Sequence, residues 1–323
     1  MVNAIRIHEH GSADKMRWEP IEVGKPGPGE IRIRHTAVGV NFIDVYMRSG
    51  VRPMQLPAII GMEAAGVVEE VGPGVSGLAV GDHAAYTEPV GSYTEARVMP
   101  AKTVVKLPKS IDDKVAAAMM LKGMTAQFLC RRTFRVEKGQ TVLLHAAAGG
   151  VGLILSQWLN HLGATVIGTA GGKEKTALAK AHGCHHVIDY QTENFVERVK
   201  DITGGKGVPV VFDGVGKATL MDSMKCLHRL GMLISFGNAS GVPDPIAGGQ
   251  LAAGGSLFFT RPMLFDYNAT RDELEATAAD LFDVVAKGAV KIEVNQTYPL
   301  RDAAKAHADL EARRTTGSTV LLP

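Results

Sequence analysis

The glycine-rich stretch LLHAAAGGVGLILSQW, residues 143–158, constrains the fold of this chain more than any other segment. An apolar strand pattern runs into a turn of small residues, and the turn opens an apolar helix pattern. Residues 147–152 match the G-x-G-x-x-G dinucleotide pattern with alanine at its first position. Gly149 has no Cβ to obstruct a pyrophosphate, and Gly152 lets the helix pack on the strand. We expect a dinucleotide at Gly149, Gly150, Val151 and Gly152.

The alternation of elements around this turn predicts the fold class. From residue 141 to residue 260, strand and helix patterns alternate, which is typical of a parallel sheet flanked by helices. Residues 1–107 alternate on a short period between Gly and Pro turns, which predicts a β-rich domain. The last segments, a helix over 271–287 closed by Gly288, a strand near 291–296, a helix over 302–312 and a final strand, resemble that first region. We therefore expect a discontinuous first domain with an α/β domain inserted in it.

Two local patterns give further expectations. Ser110 precedes acidic residues and an alanine-rich run, which predicts a helix from that serine cap over 110–121. The segment 221–231 reads as another helix of the alternating region. Both expectations rest on periodicity and capping residues alone.

The composition indicates which kinds of partner and which cellular compartment to expect. The chain has 35 basic and 33 acidic residues, for a net charge of +2, with no long basic block, which argues against nucleic acid as a partner. Three widely spaced cysteines, Cys130, Cys184 and Cys226, fit neither a disulfide framework nor a local zinc site. Neither an export signal nor an apolar run of membrane-spanning length is visible. We expect a cytoplasmic protein with no membrane partner.

The end of the second strand of the α/β region bears on the choice of dinucleotide. NAD binders carry an acidic residue there for the ribose hydroxyls, whereas this chain has Thr169, Ala170 and Gly171. Lys173 and Lys175 follow, and lysine at this position suits a 2′-phosphate. The pattern favours NADPH. The alternatives are two solvated lysines in a first helical turn and a glycine turn that holds no ligand.

Several motifs together carry a family resemblance: NFIDVYMRSG (41–50), GMEAAGVVEEVG (61–72), HAAAGGVG (145–152) and SFGNASG (235–241). They resemble the zinc-free NADPH:quinone oxidoreductases, the zeta-crystallin-like family of the medium-chain dehydrogenase/reductase superfamily. The resemblance runs nearly end to end. It implies a GroES-like β-rich catalytic domain, residues 1–124 plus 262–323, and a Rossmann dinucleotide-binding domain with a doubly wound parallel sheet, residues 125–261, with the active site between them.

The residues at the expected zinc position argue against a metal. Zinc-dependent relatives have a cysteine near the first cleft loop and a Gly-His-Glu about twenty-five residues later. This chain has Asn41 in place of the cysteine and Met62 in place of the histidine. The four close cysteines of a structural zinc lobe are also missing. We predict no metal, and a structural role for Glu63.

The resemblance also implies the residues of the site. Asn41, Tyr46 and Arg261 are the expected catalytic residues, with Tyr46 donating to the developing oxyanion and Asn41 positioning the reactants. Each has a plainer alternative: a turn asparagine, a half-buried tyrosine and an arginine at a strand end. The implied cofactor contacts are Asn41, Thr125, Gly149, Gly150, Val151, Gly152, Gly171, Lys175, Tyr190, Phe236, Gly237, Asn238 and Arg313. One departure is Arg52, at a position where relatives often have tyrosine, and a cation there would favour anionic or more polar acceptors.

The sequence thus predicts a metal-free, NADPH-dependent reductase of quinones. Quinones and unsaturated carbonyls accept hydride directly and need orientation and hydrogen-bond donors rather than a Lewis acid. The alternatives are an enone or enoyl reductase acting on a carbon–carbon double bond, and a nucleotide-binding protein without turnover. The apolar run SLFFT, residues 256–260, is expected at a sheet edge, and we predict a homodimer through it.

Overall fold

The computed structural model describes residues 1–323, which form two compact units. The first unit comprises Met1–Met124, Thr270–Ala286 and Ile292–Pro323, and the second comprises Thr125–Ala269 and Lys287–Lys291. No helix is both long enough and apolar enough to cross a membrane.

The N-terminal part of the chain is mainly β-structure, as its short-period alternation predicts. The strands are β1 (Val2–Ile7), β2 (Met16–Ile21), β3 (Glu30–Val40), β4 (Ala58–Ile59), β5 (Glu63–Val71), β6 (His83–Tyr86), β7 (Ala96–Pro100) and β8 (Val104–Lys106). The helices are α1 (Phe42–Ser49) and α2 (Asp113–Phe128). Strands β2, β1 and β4 form a small sheet, whereas the long strand β3 pairs antiparallel with β5 and β7. Burial alternates along the first half of β3 because every second side chain points to the core.

The second unit alternates strands and helices. Its strands are β9 (Thr141–Leu144), β10 (Thr165–Ala170), β11 (His186–Asp189), β12 (Val208–Asp213), β13 (Leu227–Ser235) and β14 (Phe258–Thr260). Its helices are α3 (Gly150–His161), α4 (Lys173–Ala181), α5 (Phe195–Thr203), α6 (Leu220–Ser223), α7 (Gly248–Ala253) and α8 (Leu264–Tyr267). All strands are parallel, in the order β11-β10-β9-β12-β13-β14. This is the Rossmann order, in which ligands bind at the carboxyl ends of the strands where the order reverses, here between β9 and β12.

The last part of the chain returns to the first sheet. Its elements are α9 (Arg271–Ala286), β15 (Val294–Pro299), α10 (Ala303–Glu311) and β16 (Ser318–Leu322). Strand β16 pairs antiparallel with β3 and parallel with β15. The seven-stranded sheet of the first unit is therefore built from both ends of the chain. Helix α9 ends one residue before the predicted limit, with Gly288 just beyond it at a φ of 69°, and β15 begins three residues later than predicted.

Two local expectations were wrong. Ser110 does not cap α2, because the helix begins at Asp113 and Asp112 Oδ1 accepts the Lys114 N–H over 2.8 Å. The predicted helix over 221–231 is reduced to α6 and one 3-10 turn, Met224–Cys226. Strand β13 starts at Leu227 and pairs with β12, so the sheet register overrides the local helix pattern.

Candidate active site

Asn41 lies where β3 ends and α1 begins. Its backbone is extended, as at a helix N-cap, and its N–H donates to Asp44 Oδ2 over 2.9 Å. Gly50 ends the helix in the left-handed region at a φ of 85°. The N-x-x-D spacing and the glycine eight residues beyond Phe42 therefore set the length of α1. The Asn41 side chain is consequently held, nearly buried, at the helix N-terminus.

The Asn41 side chain is bound to a buried ion pair. Its Nδ2 donates to Glu63 Oε2 over 2.8 Å, and Lys122 Nζ lies 3.0 Å from the same oxygen. The other carboxylate oxygen, Oε1, accepts the Leu121 N–H over 2.8 Å. The Glu63 and Lys122 side chains are 0% and 6% exposed, so this is a dehydrated pair. Gly39 makes room for it, because a Cβ there would lie 2.2 Å from Glu63 Oε2.

A second polar network runs from α1 to α10. Tyr93 Oη donates to Asp44 Oδ2 over 3.0 Å and therefore accepts from His307 Nε2, which lies 2.9 Å away. Arg48 is also buried, and its guanidinium pairs with Glu311 over 2.8 Å. These contacts tie the helix that begins at Asn41 to the C-terminal helix of the same unit.

Burial shifts the pKa values within this network. Desolvation raises the pKa of Asp44 to about 7, and Asp44 Oδ1 is buried without a hydrogen-bond partner. Desolvation, with the Arg48 charge adding to it, lowers the pKa of His307 to about 3. Burial and the nearby Asp44 raise the pKa of Tyr93 well above its usual value. At neutral pH the imidazole is therefore neutral, and Asp44 is close to its titration midpoint.

Tyr46 lies on α1, five residues after Asn41. It is half-buried, and its ring centroid is 6.1 Å from that of Phe42. Its carbonyl oxygen accepts the Arg52 N–H over 2.9 Å, so the exposed Arg52 follows Tyr46 around the end of the helix. The first unit thus places Asn41 at the start of α1, Tyr46 within it and Arg52 just after its C-terminus.

In the second unit, the glycine turn has the geometry that a pyrophosphate requires. Gly149 is the N-cap of α3, and no side chain caps that helix, which leaves its first N–H groups to a ligand. A Cβ on Gly152 would lie 2.2 Å from the Ala146 carbonyl oxygen, so only glycine packs there without displacement. Ala146 itself is left-handed, at a φ of 53°. These residues fit a dinucleotide phosphate.

The end of β10 fits a 2′-phosphate better than a free ribose. The place where NAD binders carry an acidic residue holds Thr169, Ala170 and Gly171 here. A Cβ on Gly171 would lie 2.5 Å from Tyr190 Oη, so the tyrosine hydroxyl lies against this glycine. The Asp189 carboxylate, at the end of β11, accepts the N–H groups of Gly172 and Gln191 over 2.9 and 3.0 Å and so holds the turn. Lys175 follows in α4, half-buried.

The remaining predicted contacts divide between the two units. Thr125, Phe236, Gly237 and Asn238 belong to the second unit, as does Arg261, whose Nη1 donates to the Ser235 carbonyl oxygen at the end of β13 over 2.7 Å. Arg313 belongs to the first unit and is exposed, at a φ of 59°. The adjacent Arg314 is bound to Asp309, 2.8 Å from Nε to Oδ1.

Sequence reasoning missed most of the groups around Asn41. Two of these groups had a signal in the sequence. Lys122 is a lone charge in the apolar run AAAMMLKGM, and Gly39 interrupts a long strand. Tyr93 and His307 carry no local signal, because they meet Asp44 only through the fold. No group of three or more His, Cys, Asp or Glu side chains is placed to hold a metal ion.

Two segments of the chain match known sequence families. The alcohol dehydrogenase GroES-like domain matches residues 27–109, and the zinc-binding dehydrogenase family matches residues 150–279. With the Rossmann order and the glycine turn, these matches define a medium-chain dehydrogenase/reductase. The predicted fold class is confirmed.

Full-length relatives narrow the class to a family. The chain is 47% identical to a quinone oxidoreductase of Pseudomonas aeruginosa over 100% of both chains, and 49% identical to a 2-haloacrylate reductase of a Burkholderia species over 100% of this chain and 99% of that one. The structure of Escherichia coli quinone oxidoreductase complexed with NADPH matches with a TM-score of 0.98 at 43% identity, covering 99% of this chain and 100% of that one. The chain belongs to the quinone oxidoreductase family, as the motifs predicted.

Proposed function

We propose that this protein is an NADPH-dependent quinone reductase that needs no metal. The observation that carries the proposal is the state of the Asn41–Glu63 cluster. At the position where zinc-dependent relatives are expected to hold a metal, Asn41 and Met62 replace two ligands, and Glu63 is instead satisfied by an amide and the Lys122 ammonium. The negative charge of Glu63 is thus balanced by the positive charge of Lys122, a protein group. The full-length match to quinone oxidoreductases supports the substrate class.

The residues of the second unit are suited to hold NADPH. The uncapped N-terminus of α3 offers N–H groups and a partial positive charge to the pyrophosphate. Lys175 and Tyr190 are the candidates for the 2′-phosphate, and we assign Arg313 of the first unit to the same phosphate. The remaining proposed contacts are Asn41, Thr125, Gly171, Phe236, Gly237 and Asn238. When bound, NADPH supplies the hydride.

The chain's own residues then orient the acceptor and stabilise its charge. Negative charge develops on the acceptor oxygen during reduction, and a positioned donor stabilises it. Tyr46 is the proposed donor, because its hydroxyl is on a half-buried side chain of α1. Asn41 is the proposed positioning group. Arg261 is proposed to contribute a cation, while its Nη1 remains on Ser235.

Turnover on chelated protein tests this function. NADPH oxidation is measured with 1,4-benzoquinone, 9,10-phenanthrenequinone and an enone after EDTA treatment, with NADH in parallel. We expect quinone turnover to survive chelation and to prefer NADPH. Loss of activity on chelation would contradict the metal-free site, and NADPH binding without any turnover would favour a nucleotide-binding protein.

The cofactor preference is tested by a matched pair of lysine variants. Lys175→Ala is expected to weaken NADPH binding roughly tenfold, with little change for NADH, because a charge-assisted phosphate contact is lost. The control is Lys173→Ala, since Lys173 is exposed in the same helical turn. Fluorescence titration of the original protein and both variants with NADPH and NADH gives the six dissociation constants. Equal effects of Lys175→Ala on NADPH and NADH would contradict a 2′-phosphate contact.

A second candidate function is the reduction of an acrylate double bond. The 49% identity to a 2-haloacrylate reductase favours it, and Arg52 offers a cation to an anionic acceptor just beyond Tyr46. If the substrate is an acrylate, Arg52→Gln raises the KM for 2-chloroacrylate and leaves benzoquinone turnover near its original rate. An unchanged KM for 2-chloroacrylate argues against this role for Arg52.

We also propose a homodimer and a cytoplasmic location. Strand β14 is at the sheet edge, and the neighbouring side chains Phe258 and Phe259 are 55% and 39% exposed. Because neighbouring side chains of a strand point to opposite faces, both faces of this edge are uncovered, and pairing with a second copy would cover them. The three cysteines are free and buried, which favours a reducing compartment.

A further inference from the structure

We infer that the buried Glu63–Lys122 ion pair is a positioning device for Asn41, which fixes which end of its amide faces the reactants. The inference rests on the proposed function insofar as Asn41 belongs to the active site. Glu63 and Lys122 are then positioning residues rather than structural ones alone. The geometry around Glu63 provides three independent arguments.

The Glu63–Lys122 pair is unfavourable to bury. Both side chains are almost fully removed from water, and replacing such a pair by apolar residues is often neutral or stabilising. If the pair served only to join β5 to α2, apolar residues at these two positions would do so at least as stably. The three donors on this one carboxylate come from Asn41, Leu121 and Lys122. Each Glu63 oxygen is thereby held in one place.

The Glu63 carboxylate selects one orientation of the Asn41 amide. A carboxylate only accepts hydrogen bonds, so the amide nitrogen of Asn41 must face Glu63 and its oxygen must face away. A neutral glutamine would not impose this, because its own amide has one accepting and one donating end. With its oxygen on the Leu121 N–H, the glutamine side chain of a Glu63→Gln variant would present NH₂ to Asn41 and reverse the Asn41 amide. The negative charge therefore selects the Asn41 orientation, and Lys122 stabilises that charge.

Strand β3 leaves space for the Glu63 carboxylate. Gly39 is the partner of Glu63 across β3 and β5, and a Cβ on Gly39 would lie 2.2 Å from both Glu63 Oε2 and the Ala117 carbonyl oxygen. Glycine weakens a strand interior, yet β3 has glycine at the point where the carboxylate approaches. The fold is thus arranged around this carboxylate.

Three variants separate positioning from stability. Glu63→Gln removes the charge at constant shape. Lys122→Met leaves Glu63 unpaired and is expected to lower the unfolding midpoint by roughly 5–10 °C. The double variant E63Q/K122M is neutral again and is expected to recover most of that loss. Asp113→Asn is the control, because Asp113 is a buried carboxylate of the same helix that ties Thr36 and His83 and does not contact Asn41.

The expected signature is a split between stability and turnover. The double variant should fold stably and bind NADPH within a few-fold of the original affinity, with kcat lower by roughly ten- to a hundredfold. The Asp113→Asn control should lower the unfolding midpoint with kcat unchanged. If kcat recovers together with stability in the double variant, the pair is structural and the inference is overturned.

A readout on the ligand-free protein does not depend on activity. In the ¹⁵N spectrum, the Asn41 side-chain NH₂ pair is assigned by its absence in Asn41→Asp. We expect this pair to exchange slowly with solvent in the original protein and in Asp113→Asn, and rapidly in Glu63→Gln. Slow exchange that persists in Glu63→Gln overturns the inference. An original protein with protected Asn41 but no turnover of any acceptor would instead contradict the proposed function.

Discussion

At the scale of single residues, the most unusual group is Asp44. It is fully buried, its Oδ2 accepts from the Asn41 N–H and Tyr93 Oη, and its Oδ1 has no partner. An ionised carboxylate with a dehydrated, unpartnered oxygen is unfavourable. A protonated Oδ1 relieves this, which agrees with the pKa of about 7 that burial produces. The stability of the structure around the start of α1 therefore depends on pH through the Asp44 carboxyl group.

The pH dependence of stability follows from the sign of this shift. The pKa of Asp44 is raised from 3.8 in the unfolded chain to about 7, so its contribution is complete below pH 4 and is lost as pH rises through 7. Asp44→Asn keeps the accepting oxygen and does not titrate. We therefore expect the difference in thermal unfolding midpoint, variant minus original protein, to increase between pH 5 and pH 8. The slope in free energy is at most about 1.4 kcal/mol per pH unit.

Thermal unfolding across this pH range measures the effect. The exposed Asp244→Asn is the control for the change in net charge. A difference between Asp44→Asn and the original protein that stays constant from pH 5 to pH 8 would show that Asp44 does not titrate in this window.

His307 gives a prediction of opposite sign. Its pKa is lowered from 6.5 to about 3, so its contribution is present above pH 6.5 and is lost as pH falls toward 3. His307→Gln removes this titration while keeping a polar side chain near Tyr93. We expect the variant to be less stable than the original protein at pH 7.5 and the gap to narrow by pH 4.5. Unfolding midpoints at the two pH values test this, and a gap that widens on acidification contradicts it.

At the scale of elements, the turn between β9 and α3 uses two glycines for different reasons. Gly152 is confined by backbone, since a Cβ there would lie 2.2 Å from the Ala146 carbonyl oxygen. At Gly149 the nearest atom to a Cβ would be that same oxygen at 3.2 Å, which a small shift accommodates. We therefore propose that Gly149 serves the ligand, whereas Gly152 serves the packing of the helix on the strand.

Alanine at each glycine separates these roles. Gly152→Ala should lower stability by about 1–3 kcal/mol, in the range of an overpacked site. Gly149→Ala should fold with little loss of stability and bind NADPH at least tenfold more weakly, because its methyl group meets the pyrophosphate. Unfolding midpoints and NADPH titrations of the two variants provide the comparison. If Gly149→Ala binds NADPH normally, the phosphate does not approach this residue.

At the scale of the whole molecule, the uncovered edge of the six-stranded sheet has the clearest consequence. Strand β14 pairs only with β13 and carries two exposed phenylalanines. An open apolar edge of this kind is an aggregation hazard unless it is covered. In the proposed homodimer, a second copy of the chain would cover it with closed twofold symmetry, whereas a different interface would leave it exposed.

Charge on this strand should therefore dissociate the proposed dimer. We expect Phe258→Lys/Phe259→Lys to be monomeric by light scattering at micromolar concentration, where the original protein is dimeric. Lysine at strand edges opposes pairing between copies. The variant should keep its NADPH affinity, because β14 holds none of the proposed cofactor contacts. A monomeric original protein would contradict the proposed assembly directly.

The sequence by itself determined the local features of this protein. The strand, glycine turn and helix at 141–161 follow from short-range periodicity and from the steric needs of a close backbone approach. The family resemblance, together with the identities of Asn41 and Met62, predicted that no metal is bound. The alternating order of strands and helices predicted the parallel sheet. Some element limits were set by the sheet instead, as at 221–231, where pairing with β12 places strand β13 from Leu227 within a helical pattern.

Only the tertiary structure decided which groups surround Asn41. Glu63 follows it by 22 residues, and Lys122 follows Glu63 by 59, so no local spacing joins them. His307 is 214 residues from Tyr93, and they meet because the C-terminal segment returns to the first unit. The physical reason is that burial and charge pairing depend on long-range strand register and helix packing. Local patterns specify where a helix begins, whereas the environment of its first residue is set by the whole fold.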